Sequence, residues 1–286
     1  MVGRKDMKSF VENCLDLRIK VAEWNPRIHT NISAIQEKKN GYFLSVIMDG
    51  DCNLHVLGKK EDYSNKIRGI EHLGYLFDLP YHTCVFGELY IPNKPATDVI
   101  TAINEGWPDL KFCGFAIPVC EGEDYAPCAI DEINVILQEL NIDFPMTLPW
   151  TICDTKEFLL SEVIRMKFEG FVLKESHMSG WYKLKPIKTC DVIITGWERS
   201  YAPQFYGELG ALNISIYDKN GKLKSIGKVG GGFTPTQRAY ITAKDINRVI
   251  EVAYQDVQSK GGLQFPRFMR FRDEKSPIEC TEDQLC

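Results

Sequence analysis

Nothing in this 286-residue sequence approaches the roughly 18–20 consecutive apolar residues that a membrane-spanning helix requires. Internal repeats and low-complexity stretches are missing too. The N-terminus, Met1-Val2-Gly3-Arg4-Lys5-Asp6, has basic residues with no apolar core behind them, which argues against a secretory signal. The ten cysteines, at 14, 52, 84, 113, 120, 128, 153, 190, 280 and 286, include no Cys-x-x-Cys pair. His82 and Cys84 lie close together, but no second pair completes a zinc ligand set. Reduced thiols in an intracellular, cytoplasmic setting are expected instead. Basic charge is short as well, with 34 Lys and Arg against 39 Asp and Glu, a formal net of -5. That excludes wholesale coating of nucleic acid but leaves room for a local basic face.

What is present is an ordinary soluble composition, 44% hydrophobic and 26% charged, on a chain long enough for two modest cores. The spacing of Phe10, Val11, Cys14, Leu15, Ile19 and Val21 predicts an opening helix over 8–24. Residues 42–48 read as a strand, and Asp49-Gly50 as a two-residue turn into a second strand at 53–57. Helices are predicted over 64–76, 96–104, 130–140 and 157–167, and strands over 84–91, 111–117, 171–174 and 181–184. From Asp191 the composition shifts to short β segments at 192–196, 211–217 and 223–228, with a long helix over 235–258 and a last strand at 265–272. That pattern suggests a small barrel of the oligonucleotide-binding type. The fold class is therefore α+β, with a first domain over 1–188 and a barrel domain over 189–286.

The stretch Gln36-Glu37-Lys38-Lys39-Asn40-Gly41 carries the first chemical signal. Lys-x-x-Gly ahead of a strand can be a solvated turn, or it can present a nucleophilic amine. A lysine attacks only when neutral, and its ordinary pKa is about 10.4. Desolvation or cationic neighbours must therefore lower it, and Lys39 is one such neighbour. Glu88, in Phe86-Gly87-Glu88-Leu89, and Glu169, in Phe168-Glu169-Gly170-Phe171, are acids set among apolar strand residues, where burial is costly without a cation partner. Lys183 and Lys185 alternate along Trp181-Tyr182-Lys183-Leu184-Lys185-Pro186, which puts both amines on one face, as a phosphate grip or as a solvated strand edge. Phe115 is placed either to stack on a base or in the core. Arg267, Arg270 and Arg272 alternate with apolar residues on the last strand, as a nucleic-acid contact or an amphipathic edge.

Taken in order, these segments resemble the ATP-dependent DNA ligases, within the covalent nucleotidyltransferases that include RNA ligases and capping enzymes. Lys38-Lys39-Asn40-Gly41 matches the nucleophile motif and Gly87-Glu88 the first glutamate motif. Phe115 matches the adenine-stacking aromatic, and Glu169-Gly170-Phe171-Val172-Leu173-Lys174 the second glutamate motif. Lys183-Leu184-Lys185 matches the paired-lysine motif, and Arg272-Asp273-Glu274-Lys275 the terminal one. Leu209-Gly210-Ala211-Leu212 and the segment 227–234 resemble a ligase barrel. The likeness runs from residue 36 to about 276. Four positions depart from it. Asn40 stands for an aspartate, Phe43 for an arginine, Lys59 for an arginine that grips the sugar or nick phosphate, and Glu274 for an aspartate.

The resemblance implies an adenylation domain followed by an OB-fold domain, ATP and Mg2+ as cofactors, and nicked duplex DNA as the partner of a monomer. It implies Lys38, Lys183 and Lys185 as catalytic residues and Glu88 and Glu169 at the metal. The implied nucleotide-binding set is Gln36, Glu37, Lys38, Asn40, Gly41, Lys59, Glu88, Phe115, Glu169, Lys183, Lys185, Arg272 and Lys275, with Arg267 and Arg270 on DNA. It also implies a barrel that reorients about a hinge near 186–190. An RNA ligase with the same lysyl-AMP chemistry and a non-catalytic nick-binding protein are the alternatives, with a capping enzyme behind them.

Overall fold

Ser9 opens the first helix. Its hydroxyl accepts from the Glu12 amide while the Glu12 carboxylate accepts from the Ser9 amide, a reciprocal cap. The computed structural model describes residues 9–150, 155–258 and 261–285; residues 1–6, Cys153 and Cys286 lie outside the described residues. The chain forms two compact units, Met1–Pro186 and Ile187–Cys286.

In the first unit α1 (Phe10–Asp16) is shorter than the apolar spacing predicts. Strand pairing takes over: β1 (Val21–Glu23) lies parallel to Trp181, Tyr182 and Lys183. The chain continues through β2 (Ala34–Lys38), β3 (Gly41–Met48), β4 (Leu54–Leu57), α2 (Ser64–Arg68), β5 (Thr83–Tyr90), α3 (Val99–Glu105), β6 (Lys111–Cys120), β7 (Glu123–Asp124), α4 (Ile130–Glu139), β8 (Thr147–Pro149), α5 (Lys156–Met166), β9 (Gly170–Lys174) and β10 (Trp181–Leu184). The β3–β4 hairpin forms, but its link is longer than two residues. The Asp49 carboxylate accepts from the amides of Asp51 and Asn53, and the strand resumes at Leu54. The helix predicted over 64–76 breaks at Gly69 into α2 and a 3-10 segment, Glu71–Asp78.

These strands make two five-stranded sheets, ordered β1-β10-β9-β2-β8 and β4-β3-β5-β6-β7. Strand alternation gives each sheet a covered outer face and an inner face. Ile35, Phe171, Leu173 and Leu184 pack on Leu159 and Val163 of α5. Leu44, Val46, Val56 and Leu89 pack with Ile67, Val99, Ile103, Ile133 and Leu137 of α2, α3 and α4. The inner faces meet in a smaller cluster, in which Ile47, Cys84, Phe86 and Ala116 of the second sheet join Trp181 of the first.

The second unit is built from β11 (Lys188–Arg199), β12 (Leu209–Tyr217), β13 (Leu223–Val229), α6 (Pro235–Tyr240), β14 (Val249–Tyr254) and β15 (Arg267–Phe271), in sheet order β13-β12-β11-β14-β15. The long helix predicted over 235–258 is not formed. Thr234 and Gln237 cap α6 reciprocally and it ends at Tyr240. Val249-Ile250-Glu251-Val252-Ala253-Tyr254 is rich in β-branched and aromatic side chains and becomes a central strand between β11 and β15. The sheet's ends are joined where the Phe268 amide donates to the Gly231 carbonyl at 2.9 Å and the Leu263 amide to the Ile226 carbonyl at 2.9 Å. The result is a small OB-type barrel filled by Val192, Ile194, Leu212, Ile214, Ile216, Ile226, Val252 and Phe268. No helix among the described residues is long and apolar enough to cross a membrane.

Phe268 is 3% exposed, stacks on Phe233 with ring centroids 4.8 Å apart, and meets Phe271 edge-on. Phe268→Ala is expected to cost the barrel about 3–5 kcal/mol, read as a lowered urea midpoint of the second unit's transition.

Candidate active site

The chain crosses from one sheet to the other at Lys39-Asn40, so Lys38 ends β2 and Gly41 begins β3. Gly41 has to be small: a Cβ there would overlap the Leu89 carbonyl oxygen and come within 2.8 Å of the Glu88 side chain. Gly170 is constrained in the same way by the Leu184 carbonyl. In the register of β2 and β9, Lys38 faces Gly170, which brings Glu169 beside the amine. Between the inner faces lies a cavity of about 520 Å³ lined by residues of both sheets and by Arg18, Ile19, Lys20 and Val21. Seven of its lining side chains are basic and two acidic, which suits a polyanion.

At one end of the site a single carboxylate holds two amines. The Lys38 Nζ donates to Glu169 Oε2 at 2.8 Å and to the Lys39 carbonyl at 3.1 Å, while Lys185 donates to the other Glu169 oxygen in a short ion pair. Burial pulls the Lys38 pKa down, but the charges of Glu88 and Glu169 and the Glu169 hydrogen bond outweigh it and leave it raised. This reverses the expectation of cationic neighbours lowering it. Lys39 is paired with Glu37 at 2.7 Å and Lys185 with Glu169, so the charges nearest the Lys38 amine are negative. Glu88 sits opposite Phe43 across β3 and β5; burial raises its pKa, with Lys38 opposing. Burial lowers the Lys185 pKa, with Glu169 opposing.

The other end is aromatic. Phe115 meets Trp181 edge-on at 5.5 Å and Phe43 at 6.1 Å. Lys174, only 1% exposed, donates to the Phe115 carbonyl at 3.0 Å and lies 3.5 Å above the Trp181 ring, and burial drives its amine well below the usual lysine range. Gln36 is buried on the same wall. Its amide nitrogen donates to Thr147 Oγ1 at 3.0 Å, but its amide oxygen is buried without a hydrogen-bond partner.

Of the residues predicted from sequence, Gln36, Glu37, Lys38, Lys59, Glu88, Phe115 and Lys183 line this cavity. Glu169 and Lys185 join it through Lys38, and Asn40 and Gly41 form the crossover. Lys183 pairs with Glu23 at 3.0 Å rather than sharing a carboxylate with Lys185. In the barrel, Arg272 and Lys275 both bind Asp191, which is 5% exposed; Arg272 does so through two contacts, at 2.8 and 3.2 Å. Arg267 and Arg270, three apart, would alternate faces on a regular strand. A register shift opposite Glu251 and Val252 leaves both exposed while Phe268 turns inward, and Arg270 pairs with Glu251 at 2.7 Å.

Comparison with known proteins bears on this arrangement. Residues 203–272 match the DNA ligase OB-like domain family. DNA ligase 2 of Methanosarcina acetivorans is 27% identical over 160 residues, covering 45% of this chain and 28% of that protein. The DNA ligase of Methanoculleus marisnigri is 28% identical over 203 residues, covering 60% of this chain and 37% of that protein. The matched stretch thus spans well under half the length of these relatives. A solved structure from work on DNA binding with a minimal scaffold by Lig E DNA ligases superposes with a TM-score of 0.64 over 89% of this chain and 98% of that one, at 16% identity. The chain is similar to the DNA ligases. It has the α+β fold of a ligase adenylation domain followed by an OB-fold domain.

Sequence reasoning missed Arg18, Lys20 and Lys174 in the cleft. Lys174 had a signal, a lysine closing an otherwise apolar strand, whereas Arg18 and Lys20 fell inside the segment read as helix. Among the described residues no group of three or more His, Cys, Asp or Glu forms a metal cage. Two carboxylates, Glu88 and Glu169, nonetheless suit a magnesium ion that takes its remaining ligands from phosphate and water.

Because the Lys38 pKa is raised in the folded state, its ion pair contributes stability that is complete below the ordinary lysine pKa and is lost as the pH rises through the raised value. Glu169→Gln should therefore lower the Lys38 pKa. Competitive labelling with a trace amine reagent at about pH 9 should then modify Lys38 several-fold faster than in the parent protein, as read by peptide mass.

Proposed function

We propose that this chain is an ATP-dependent DNA ligase that seals nicks in duplex DNA, acting as a monomer with an adenylation domain over 1–188 and an OB-fold domain over 189–286. The observation that supports it most is the convergence of Lys38, Glu88, Phe115, Lys183 and a buried glutamine on one basic cavity. Its volume of about 520 Å³ lies within the range of nucleotide-sized pockets.

In this reading the Lys38 ammonium sheds its proton to water before it attacks, which becomes easier once another cation answers the Glu88 and Glu169 carboxylates that hold its pKa up. The amine attacks the α-phosphorus of ATP; a P–N bond forms, the bond to the bridging oxygen breaks, and pyrophosphate leaves. Lys183 and Lys185 carry the charge of the α-phosphate oxygens. A magnesium ion held by Glu88 and Glu169 would add charge neutralisation at those oxygens. Phe115 stacks on the purine. The unpaired Gln36 oxygen accepts from the exocyclic amine of adenine, a donor that guanine lacks at that position. In this reading that contact favours ATP over GTP, which counts against a capping enzyme. AMP then passes to the 5′-phosphate at the nick, and the neighbouring 3′-hydroxyl displaces it. Arg272 and Lys275 are assigned to the pyrophosphate, and Arg267 and Arg270 to DNA phosphates. An RNA ligase would use the same first step, and the OB-like domain match favours DNA.

Two measurements check this. Lys38→Ala should abolish the covalent AMP adduct and lower nick sealing by on the order of 10³-fold or more; a variant that still seals nicks would remove the mechanism. Gln36→Leu should raise the KM for ATP about tenfold, the effect of leaving one polar group unpaired, while the KM for GTP moves little.

A further inference from the structure

Arg18 is a half-buried cation with no carboxylate partner among the described residues. Its Nε donates to Ser45 Oγ at 3.0 Å, and one terminal nitrogen donates to the carbonyls of Leu57 at 3.2 Å and Gly58 at 3.0 Å. The other terminal nitrogen makes no hydrogen bond among the described residues, and the side chain lines the cavity. The guanidinium lies over the Phe43 ring, 5.4 Å from its centroid. A guanidinium taken out of water and given only neutral partners is costly, and an anion supplies what it lacks. The remaining terminal nitrogen keeps two N–H groups, each able to donate a charge-assisted hydrogen bond to a phosphate oxygen.

Position 43 projects into the cavity from β3, where an aromatic ring offers a phosphate no charge. Arg18 stands on that ring, and its grip on Leu57 and Gly58 fixes the turn that leads to Lys59, also on the cavity wall. Resting on the ligase reading, we propose that Arg18 binds a substrate phosphate in this cleft, supplying from the segment between α1 and β1 the cation that Phe43 does not provide. The phosphate belongs either to the nucleotide or to the 5′ end of the nicked strand.

The test compares the parent protein, Arg18→Ala, and Arg18→Ala combined with Phe43→Arg, with melting temperatures for all three. One arm measures the KM for ATP in formation of the lysyl-AMP adduct. The other measures binding of the adenylylated protein to duplexes whose nick carries a 5′-phosphate or a 5′-hydroxyl. Loss of one charge-assisted contact should weaken one arm about ten- to a hundredfold. The arm affected names the source of the phosphate, and Phe43→Arg should restore it. Unchanged behaviour in both arms, or a loss that Phe43→Arg leaves unrestored, overturns the proposal and makes Arg18 a structural clamp. Should alanine lower the melting temperature, Arg18→Gln keeps an amide donor for the two carbonyls and takes its place. If the parent protein forms no lysyl-AMP with ATP, the ligase reading itself falls and takes the proposal with it.

Discussion

Two lysine amines on one carboxylate hold the cleft together. Lys38 arrives at the end of β2 and Lys185 just past β10, and Glu169, one residue ahead of β9, binds both. With a side chain only 11% exposed, Glu169 is poorly placed to be replaced by water. Removing one partner of a fully buried ion pair typically costs about 3–5 kcal/mol, because a charge is left without compensation, and this partly exposed arrangement costs less. The neighbouring glycines belong to the same arrangement. Gly170 lets the backbone of Leu184 approach, and Gly41 lets Glu88 lie alongside the crossover. The electrostatics follow from this constraint: the same contacts that assemble the site keep the Lys38 amine protonated at rest.

Charge is distributed unevenly between the chain and its cleft. The whole sequence is acidic, with a net of -5, yet on the cavity wall basic side chains outnumber acidic ones seven to two. The barrel treats its cations differently. Arg272 and Lys275 share Asp191, and Arg270 is matched by Glu251, so most of their charge is answered locally. Among the described residues Arg18 and Lys174 have only neutral partners. Those two mark where a ligand's charge and polar edges have most to gain.

Much of this could be read from sequence, for physical reasons that differ by element. The strands of the second sheet were legible because period-two alternation there coincides with real burial: Leu44, Val46 and Met48 face one way and Phe43, Ser45 and Ile47 the other. The site was legible because Lys38, Glu88 and Glu169 sit on or beside strands of both sheets, close to glycines at Gly41, Gly87 and Gly170. Residues 8–24 and 235–258 were misread because short apolar runs satisfy helical and strand spacing alike. Pairing decided between them, with β10 for Val21 and with β11 and β15 for Val249 to Tyr254. The register shift in β15, where Met269 is passed over between the Glu251–Arg270 and Val252–Phe268 pairs, left no pattern to find. Arg18 was hidden too: its meaning depends on which ring it lies against, and that ring is 25 residues away in sequence.

The stretch that resembles a ligase and the stretch that folds as one body do not share a boundary. β1 is the edge of the first sheet and lies along β10, with Glu23 paired to Lys183. A chain trimmed to begin at Ala34 would keep the crossover lysine, both glutamates and the lysine pair. It would leave β10 with a bare row of amide and carbonyl groups, the kind of edge onto which a second molecule adds a strand. Expression of such a shortened form would be limited by self-association before its chemistry could be measured.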